Sequence, residues 1–346
     1  MFAHQITGFT GPDDVQWTEV AEPPADGGVL IDVVAAGVSF ADLLQTTGSY
    51  QMKVDLPYTP GMDAAGIIRS APASARSAPA SAGPAPAGAA PAGAAPAGTG
   101  AAPGQRVAVL LSRGCWQEVI SAPAARVLPL PADMSFEAGA AAPLNYLTAL
   151  FALTRRARAQ PGETLLVHGA AGGVGTAAVQ LGRALGLRTV AVVSDQAKAD
   201  FALRCGAHHA VRSDGWLAAV RDLLGERAVD IVADPVGGDR MTDSLRSLGP
   251  QGRLLVLGFT AGQIPTVKVN RLLLGNTGVL GVASREFFEQ HPETIADLWN
   301  QLIELWRTGK LRDLPVRSYP FGDARGALRA IADRDATGKV VLTRPV

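Results

Sequence analysis

LLVHGAAGGVGTAAVQLG, Leu165 to Gly182, runs an apolar strand into a seven-residue turn with no side chain larger than valine, and then into a helix-forming segment. Glycines stand at 169, 172, 173 and 175, and the helix is expected from near Val174. A strand, a bare turn and a helix in that order form the first βα unit of a dinucleotide fold. Gly172 lets the backbone approach a pyrophosphate, Gly175 lets the helix pack on the strand, and the unpaired N–H groups of the helix start attract negative charge. The strict pattern is Ala170-x-Gly172-x-x-Gly175, with alanine in the place of the first glycine.

The residues around this unit extend the pattern. From about Pro161 the apolar strands TLLVHG, RTVAVVS, DIVADP and RLLVLGF alternate with amphipathic helical segments, the signature of a parallel sheet covered on both faces. The second strand, RTVAVVS, ends on Val193 and Ser194, with Lys198 four residues on. An NAD site places a carboxylate there for the ribose 2′-hydroxyl, whereas an NADP site supplies donors or cations to a 2′-phosphate, so the pattern predicts NADPH. Asp195 is the contrary residue, one position away from the sensor site, and Lys198 alone also reads as an ordinary lysine at a helix start.

Before Pro161 the grammar differs. Segments such as VLIDVVAAGV, Val29 to Val38, read as strands between turns. After about Arg285 come a long helix, PETIADLWNQLIELWRTG, and a closing strand, KVVLTRPV, whose surroundings resemble the first part. The expected division is therefore 1–125 with 286–346 in a mostly β unit, and 126–285 in the dinucleotide unit. Within the first, residues 71–104 repeat APASA and GAAPA and carry one charge, Arg76. Such a segment buries too little apolar surface to offset its ordering, and reads as a flexible loop inserted between two strands.

Thirty-one basic and thirty-one acidic residues balance. No basic stripe follows a phosphate backbone, which argues against nucleic acid. The most apolar long segment, Ala138 to Leu153, is interrupted by Pro143 and Asn145 and is too short to span a bilayer. MFAHQITGFTGPDD has no signal-peptide pattern, and two cysteines make no disulfide framework, so a cytoplasmic protein is expected.

GVSFADLLQTTGSY, LPYTPGMDAAG, PLNYLTALFAL, the glycine-turn segment, VDIVADPVGGD, GRLLVLGFTAG and GKVVL together resemble the medium-chain dehydrogenase/reductase superfamily, in its zinc-free quinone oxidoreductase (zeta-crystallin-like) branch. The resemblance covers nearly the whole chain apart from the Ala/Pro insertion. It implies an α/β protein with a Rossmann doubly wound parallel sheet plus a GroES-like, mostly β domain, acting as a homodimer paired through an edge strand of the cofactor domain. It also implies NADPH in the interdomain cleft, and hydride transfer to a quinone or α,β-unsaturated carbonyl. Tyr50 is the catalytic candidate, over the nicotinamide ribose, although by itself it also reads as a turn tyrosine packing on Leu56 and Pro57.

Further cofactor contacts carry over to Asn145 and Thr148, taken as the start of the helix that joins the domains, and to Ala171, Gly172, Gly173 and Val174 of the turn. Ser194 and Lys198 match the 2′-phosphate site, and His208 the adenine side. Gly258, Phe259 and Thr260, and then Val282, Ala283 and Ser284, follow two later strands at the crevice edge. No metal is expected, because Ser39 replaces the usual cysteine, and Met62 and Asp63 the His-Glu pair, of zinc relatives. His208 and His209 are adjacent on a strand and point to opposite faces. Ser39 and Thr47 stand where the branch usually has asparagine and arginine, which implies a larger, less polar pocket. Rival readings are an enoyl-thioester reductase, a crystallin-like NADPH-binding protein without turnover, and a zinc alcohol dehydrogenase.

Overall fold

The computed structural model describes residues 1–24, 28–72, 75, 101–225, 227–311 and 313–345. The chain begins with a two-stranded ribbon, β1 (Phe2–Ile6) and β2 (Val15–Glu19), followed by β3 (Val29–Val38), α1 (Phe40–Thr46), β4 (Asp63–Ser70), β5 (Arg106–Leu110), β6 (Val119–Ala122) and β7 (Val127–Pro129). β3 is buried at nine of its ten residues because it is central, pairing with both β4 and β6. Its side chains alternate between two cores: Val33 and Ala36 face the body of the antiparallel sheet, and Ala35 faces the other way. The Ala/Pro-rich segment lies between β4 and β5, which pair with each other. Ala71, Ala75 and Ala101 are buried at its base; the expectation of a flexible loop falls outside the described residues.

α2 (Phe136–Leu150) starts at Ser135, whose hydroxyl accepts from Ala138 N at 3.1 Å, and runs through Pro143 into a π-helical turn, Phe151–Arg156. Asn145 and Thr148 therefore sit late in a long helix, which corrects their expected place at its start. Then follow β8 (Thr164–His168), α3 (Gly173–Ala184), β9 (Arg188–Val193), α4 (Gln196–Arg204), β10 (His209–Arg212), α5 (Trp216–Leu224), β11 (Val229–Asp234), α6 (Met241–Ser247), β12 (Leu248–Val256), α7 (Asn270–Gly275) and β13 (Gly278–Gly281). These six strands form one parallel sheet in the order β10-β9-β8-β11-β12-β13. The strand order reverses between β8 and β11, so a crevice opens at their carboxyl ends.

The sheet is covered on both faces. Leu165 and Val167 of β8 share a core with Ala177, Ala178 and Leu181 of α3 and with α2, while Leu166 packs with Trp216, Val220 and Leu245 on the opposite face. Beyond β13 come α8 (Ser284–Gln290), α9 (Glu293–Arg307), β14 (Val316–Pro320), α10 (Ala324–Ala332) and β15 (Lys339–Thr343). β15 pairs antiparallel with β3, so the chain returns to the first sheet at its end. α9 lies where the two sheets meet: Ile295, Leu298, Trp299 and Leu302 join a core that α2 shares with both sheets, and Trp299 Nε1 donates to Pro129 O of β7 at 2.9 Å. Among the described residues no helix is long and apolar enough to cross a membrane.

His168, the last residue of β8, is fully buried, with Nε2 2.9 Å from Ser244 Oγ and its ring edge-on to Trp216. Burial holds its pKa down to about 3, against an ordinary 6.5. The folded state keeps the ring neutral while the unfolded chain takes up a proton below about 6.5, so stability is lost as pH falls from there toward 3. Urea unfolding at pH 7 and pH 5 should show the wild type losing about 2 kcal/mol more than His168→Asn over that interval. Equal losses would show that the ring protonates in place.

Candidate functional site

The turn after β8 leaves backbone exposed at the carboxyl edge of the sheet. Gly169 takes the left-handed conformation, φ +57°, so the role of the first glycine falls there and not on Ala170, which is buried. Gly172 caps α3 in an extended conformation, with its N–H on Gly169 O at 3.0 Å. A β-carbon on Gly172 would meet nothing nearer than Gly169 O at 3.5 Å, so this surface is open. On Gly175 it would overlap Gly169 O and lie 2.8 Å from Ala170 Cα. On Gly173 it would overlap the amide of Asn145, which packs there from α2. The first N–H groups of α3 have no carbonyl one turn back within the helix, and with Ala171, Gly172, Gly173 and Val174 they form a cradle of backbone donors, an arrangement that favours negative charge.

At the end of β9 the side chains sort themselves by charge. Asp195 is the N-cap of α4, accepting from Lys198 N at 2.9 Å and from Ser194 Oγ at 2.8 Å, and these bonds hold its carboxyl below the usual range. It is thereby engaged as a cap. Lys198 Nζ reaches Ser194 Oγ at 3.1 Å and Arg334 O at 2.8 Å, and Arg212 Nε donates to Ser194 O at 3.0 Å. Two side-chain cations, Lys198 and Arg212, thus meet at Ser194, and Arg334 takes part only through its backbone carbonyl. Arg212 and Arg334 were not anticipated. Arg212 is readable as the last residue of β10; Arg334, 136 positions from Lys198, gives no local signal.

His208 does not join them. It precedes β10, and its Nδ1 lies 3.1 Å from Thr189 N and 2.9 Å from Thr189 Oγ1, at the amino end of β9. That is the edge of the sheet opposite the glycine turn, so the adenine-side assignment is corrected. Between the segments that follow β10 and β11 the surface opens into a cavity of about 800 Å³, lined by Asp214, Trp216, Arg221, Gly238, Arg240 and Gln263 among others. Thr260 N bonds Pro235 O at 3.1 Å, which folds Gly258, Phe259 and Thr260 over the β11 loop. Val282, Ala283 and Ser284 follow β13, and Ser284 Oγ lies 2.9 Å from Thr148 Oγ1 of α2.

The other wall of the cleft is α1 and the loop after it. Ser39 caps α1 in a reciprocal box with Asp42, which also accepts from Gly61 N at 3.1 Å. Burial raises the Asp42 carboxyl to about 6. Tyr50 is half-buried, with the Arg285 guanidinium 5.6 Å from its ring centre. Burial raises the Tyr50 pKa and the nearby Arg285 charge opposes that rise. Arg285 N–H groups reach Met52 Sδ at 3.6 Å and Glu286 Oε1 at 2.8 Å, and Gln51 Nε2 bonds the same carboxylate at 3.0 Å. Thr47 offers no cation, yet a guanidinium does stand at the cleft, from the opposite wall; the expectation of a less polar pocket is corrected on that point.

A zinc ion does not fit these residues. Ser39 Oγ donates to Asp42 at 2.6 Å, Met62 offers only a buried thioether, and both Asp63 oxygens lie on Lys339 Nζ, at 3.0 and 2.9 Å. Among the described residues no group of three or more His, Cys, Asp or Glu is placed to hold a metal.

The contact between Gly173 and Asn145 is testable by a double-mutant cycle. Gly173→Ala should cost about 1–3 kcal/mol through overpacking, and Asn145→Ala in the same chain should return much of it. Thermal unfolding of the four proteins reads the coupling; additive losses would mean that the two groups do not touch.

The chain matches two families, the alcohol dehydrogenase GroES-like domain over residues 25–132 and the zinc-binding dehydrogenase over 173–302. Quinone oxidoreductase-like protein 2 of Bos taurus is 30% identical over 318 residues, covering 91% of this chain and 84% of that protein. A probable oxidoreductase of Mycobacterium abscessus superposes with a TM-score of 0.85 at 35% identity, covering 99% of both chains. The quinone oxidoreductase of Thermus thermophilus, solved alone and with NADPH, gives 0.78 at 32% identity over 99% of this chain and 100% of that one. With its glycine turn, its two sheets and a cleft whose residues do not suit zinc, the chain belongs to the medium-chain dehydrogenase/reductase superfamily, in its zinc-free quinone oxidoreductase branch.

Proposed function

We propose that the protein is an NADPH-dependent oxidoreductase that reduces quinones or α,β-unsaturated carbonyls without a metal. One observation carries the reading: at the end of β9 the carboxylate is engaged as a helix cap, while the Ser194 hydroxyl stands beside two side-chain cations, Lys198 and Arg212. That arrangement suits a 2′-phosphate and not a bare ribose 2′-hydroxyl. The start of α3 holds the pyrophosphate, and Asn145, Thr148, Val282, Ala283 and Ser284 line the nicotinamide end. NADPH, when bound, supplies the hydride.

The residues then act on the acceptor. Tyr50 donates its hydroxyl hydrogen bond to the acceptor oxygen on which negative charge develops, and passes its proton there; water restores it. Arg285 keeps positive charge beside Tyr50 as that happens. A conjugated acceptor spreads the charge over several atoms, so a hydroxyl and a nearby guanidinium suffice where an isolated ketone calls for a Lewis acid.

The protein is also proposed to work as a homodimer. Ile264, Val269, Leu273 and Leu274 are each at least 75% exposed, beside β13, the open edge of the parallel sheet. An apolar cluster next to an unpaired strand edge suits a second copy of the same chain.

The central test is oxidation of NADPH and NADH by purified protein against quinones, enones and enoyl-thioesters, with chelator present. NADPH with quinones or enones should turn over fastest; preference for NADH, loss of activity to chelator, or faster enoyl-thioester turnover would each redirect the reading. Lys198→Ala and Arg212→Ala should each raise the KM for NADPH by roughly tenfold and leave NADH unchanged. Tyr50→Phe should lower kcat by about 10²-fold or more with little change in cofactor affinity. Sedimentation at micromolar concentration should give a dimer, and Leu273→Glu with Leu274→Glu a monomer.

A further inference from the structure

Among the described residues one charged pair is fully buried and lies outside the reacting groups. Asp63, at the start of β4, and Lys339, at the start of β15, are 0% and 3% exposed. Gly37 on β3 makes room for them, since a β-carbon there would overlap Asp63 Oδ1 and lie 2.6 Å from Lys339 Cε. A buried pair of this kind is weak evidence of stabilisation, because desolvation of both charges offsets their attraction. Its connections suggest another role.

Two arms leave the pair and both end on the glycine turn. On one side Gly338, adjacent to Lys339, donates its N–H to Ala171 O at 2.9 Å. On the other, Asp63 Oδ2 accepts from Leu144 N of α2 at 3.3 Å, and the next residue, Asn145, packs its amide on Gly173. The cradle is thus touched at Ala171 and at Gly173 by groups whose positions are set by one ion pair in the antiparallel sheet. We propose that Asp63 and Lys339 are positioning residues, which fix the register between the cofactor turn and the substrate-side sheet so that the pyrophosphate is held where the cleft can use it. The proposal rests on the NADPH reading above.

The test compares two ligands. NADPH uses the turn, whereas adenosine 2′-monophosphate has the 2′-phosphate and no phosphate on its 5′-oxygen to place there. Asp63→Leu with Lys339→Met removes both charges at similar volume, Lys339→Arg keeps the pair, and Gly37→Ala displaces it without removing a charge. By titration calorimetry the double variant should bind NADPH at least tenfold more weakly and adenosine 2′-monophosphate within twofold of wild type. Gly37→Ala should shift in the same sense, and Lys339→Arg should bind NADPH within about threefold of wild type. A folded double variant that binds NADPH normally, parallel weakening of both ligands, or a double variant that does not fold would assign the pair to stability or to nothing, and overturn the proposal. Wild-type protein that binds neither ligand would overturn the cofactor reading instead.

Discussion

The helix α3 lies on β8 more closely than β-carbons permit, and the site depends on that approach. At Gly175 the obstacle to a side chain is the backbone of Gly169 and Ala170, and at Gly182 it is Leu165 and Thr189, so the helix touches the strand at both ends of its length. Close approach aims the α3 N-terminus at the carboxyl edge of the sheet, where its unpaired N–H groups face the crevice. It also keeps the turn short enough that Gly172 presents bare backbone there. Because α2 packs against the same helix, the constraint passes on to Asn145 and Thr148, and through the Thr148–Ser284 contact to the segment after β13.

What the sequence made legible is what is local. The glycine turn, the alternation of strands and helices, and the return of the last strand to the first sheet are periodic or stereochemical signals, and each is found where the residues imply. The start of α2 was misjudged because Pro143 and Asn145 read as a boundary. The helix continues because the neighbouring Leu144 N–H finds an acceptor outside the helix, on Asp63, and no local rule sees a carboxylate eighty-one positions away. The resemblance carries His208 to the adenine side, but its ring bonds Thr189 at the amino edge of the sheet, and Arg212 stands at the carboxyl end of β10. Arg285 had no signal at all, since it acts on a residue more than a hundred positions away, and neither had Arg334, which meets Lys198 through its backbone carbonyl from a left-handed conformation unusual for a side chain of its size.

Polar groups without partners mark where the cleft keeps unsatisfied capacity. Both amide atoms of Gln45 and the hydroxyl of Tyr58 are buried with no hydrogen-bond partner, and Asp42 stands among them with its carboxyl raised by burial. A fully satisfied wall would be more stable, since each unmet group costs about 1–3 kcal/mol. Here they share the wall with Tyr50, whose own ionisation burial also disfavours. A phenol kept protonated in this way remains a hydrogen-bond donor across the working pH range, which is what an acceptor oxygen gaining charge requires.

The same electrostatics bear on the kind of acceptor the cleft suits. Without a donor set for a divalent cation, positive charge at the cleft comes from Arg285, and part of that is already shared with Glu286 and, at 3.9 Å, Glu289. A half-neutralised guanidinium beside a neutral phenol gives moderate stabilisation to a localised alkoxide. An anion delocalised over a ring or an enone has a lower intrinsic cost, so the same moderate stabilisation goes further toward meeting it. The residues that replaced the metal ligands therefore do more than remove a zinc site. Ser39 tightens the α1 cap and Asp63 turns inward to Lys339, so the oxygens of both side chains are engaged within the protein.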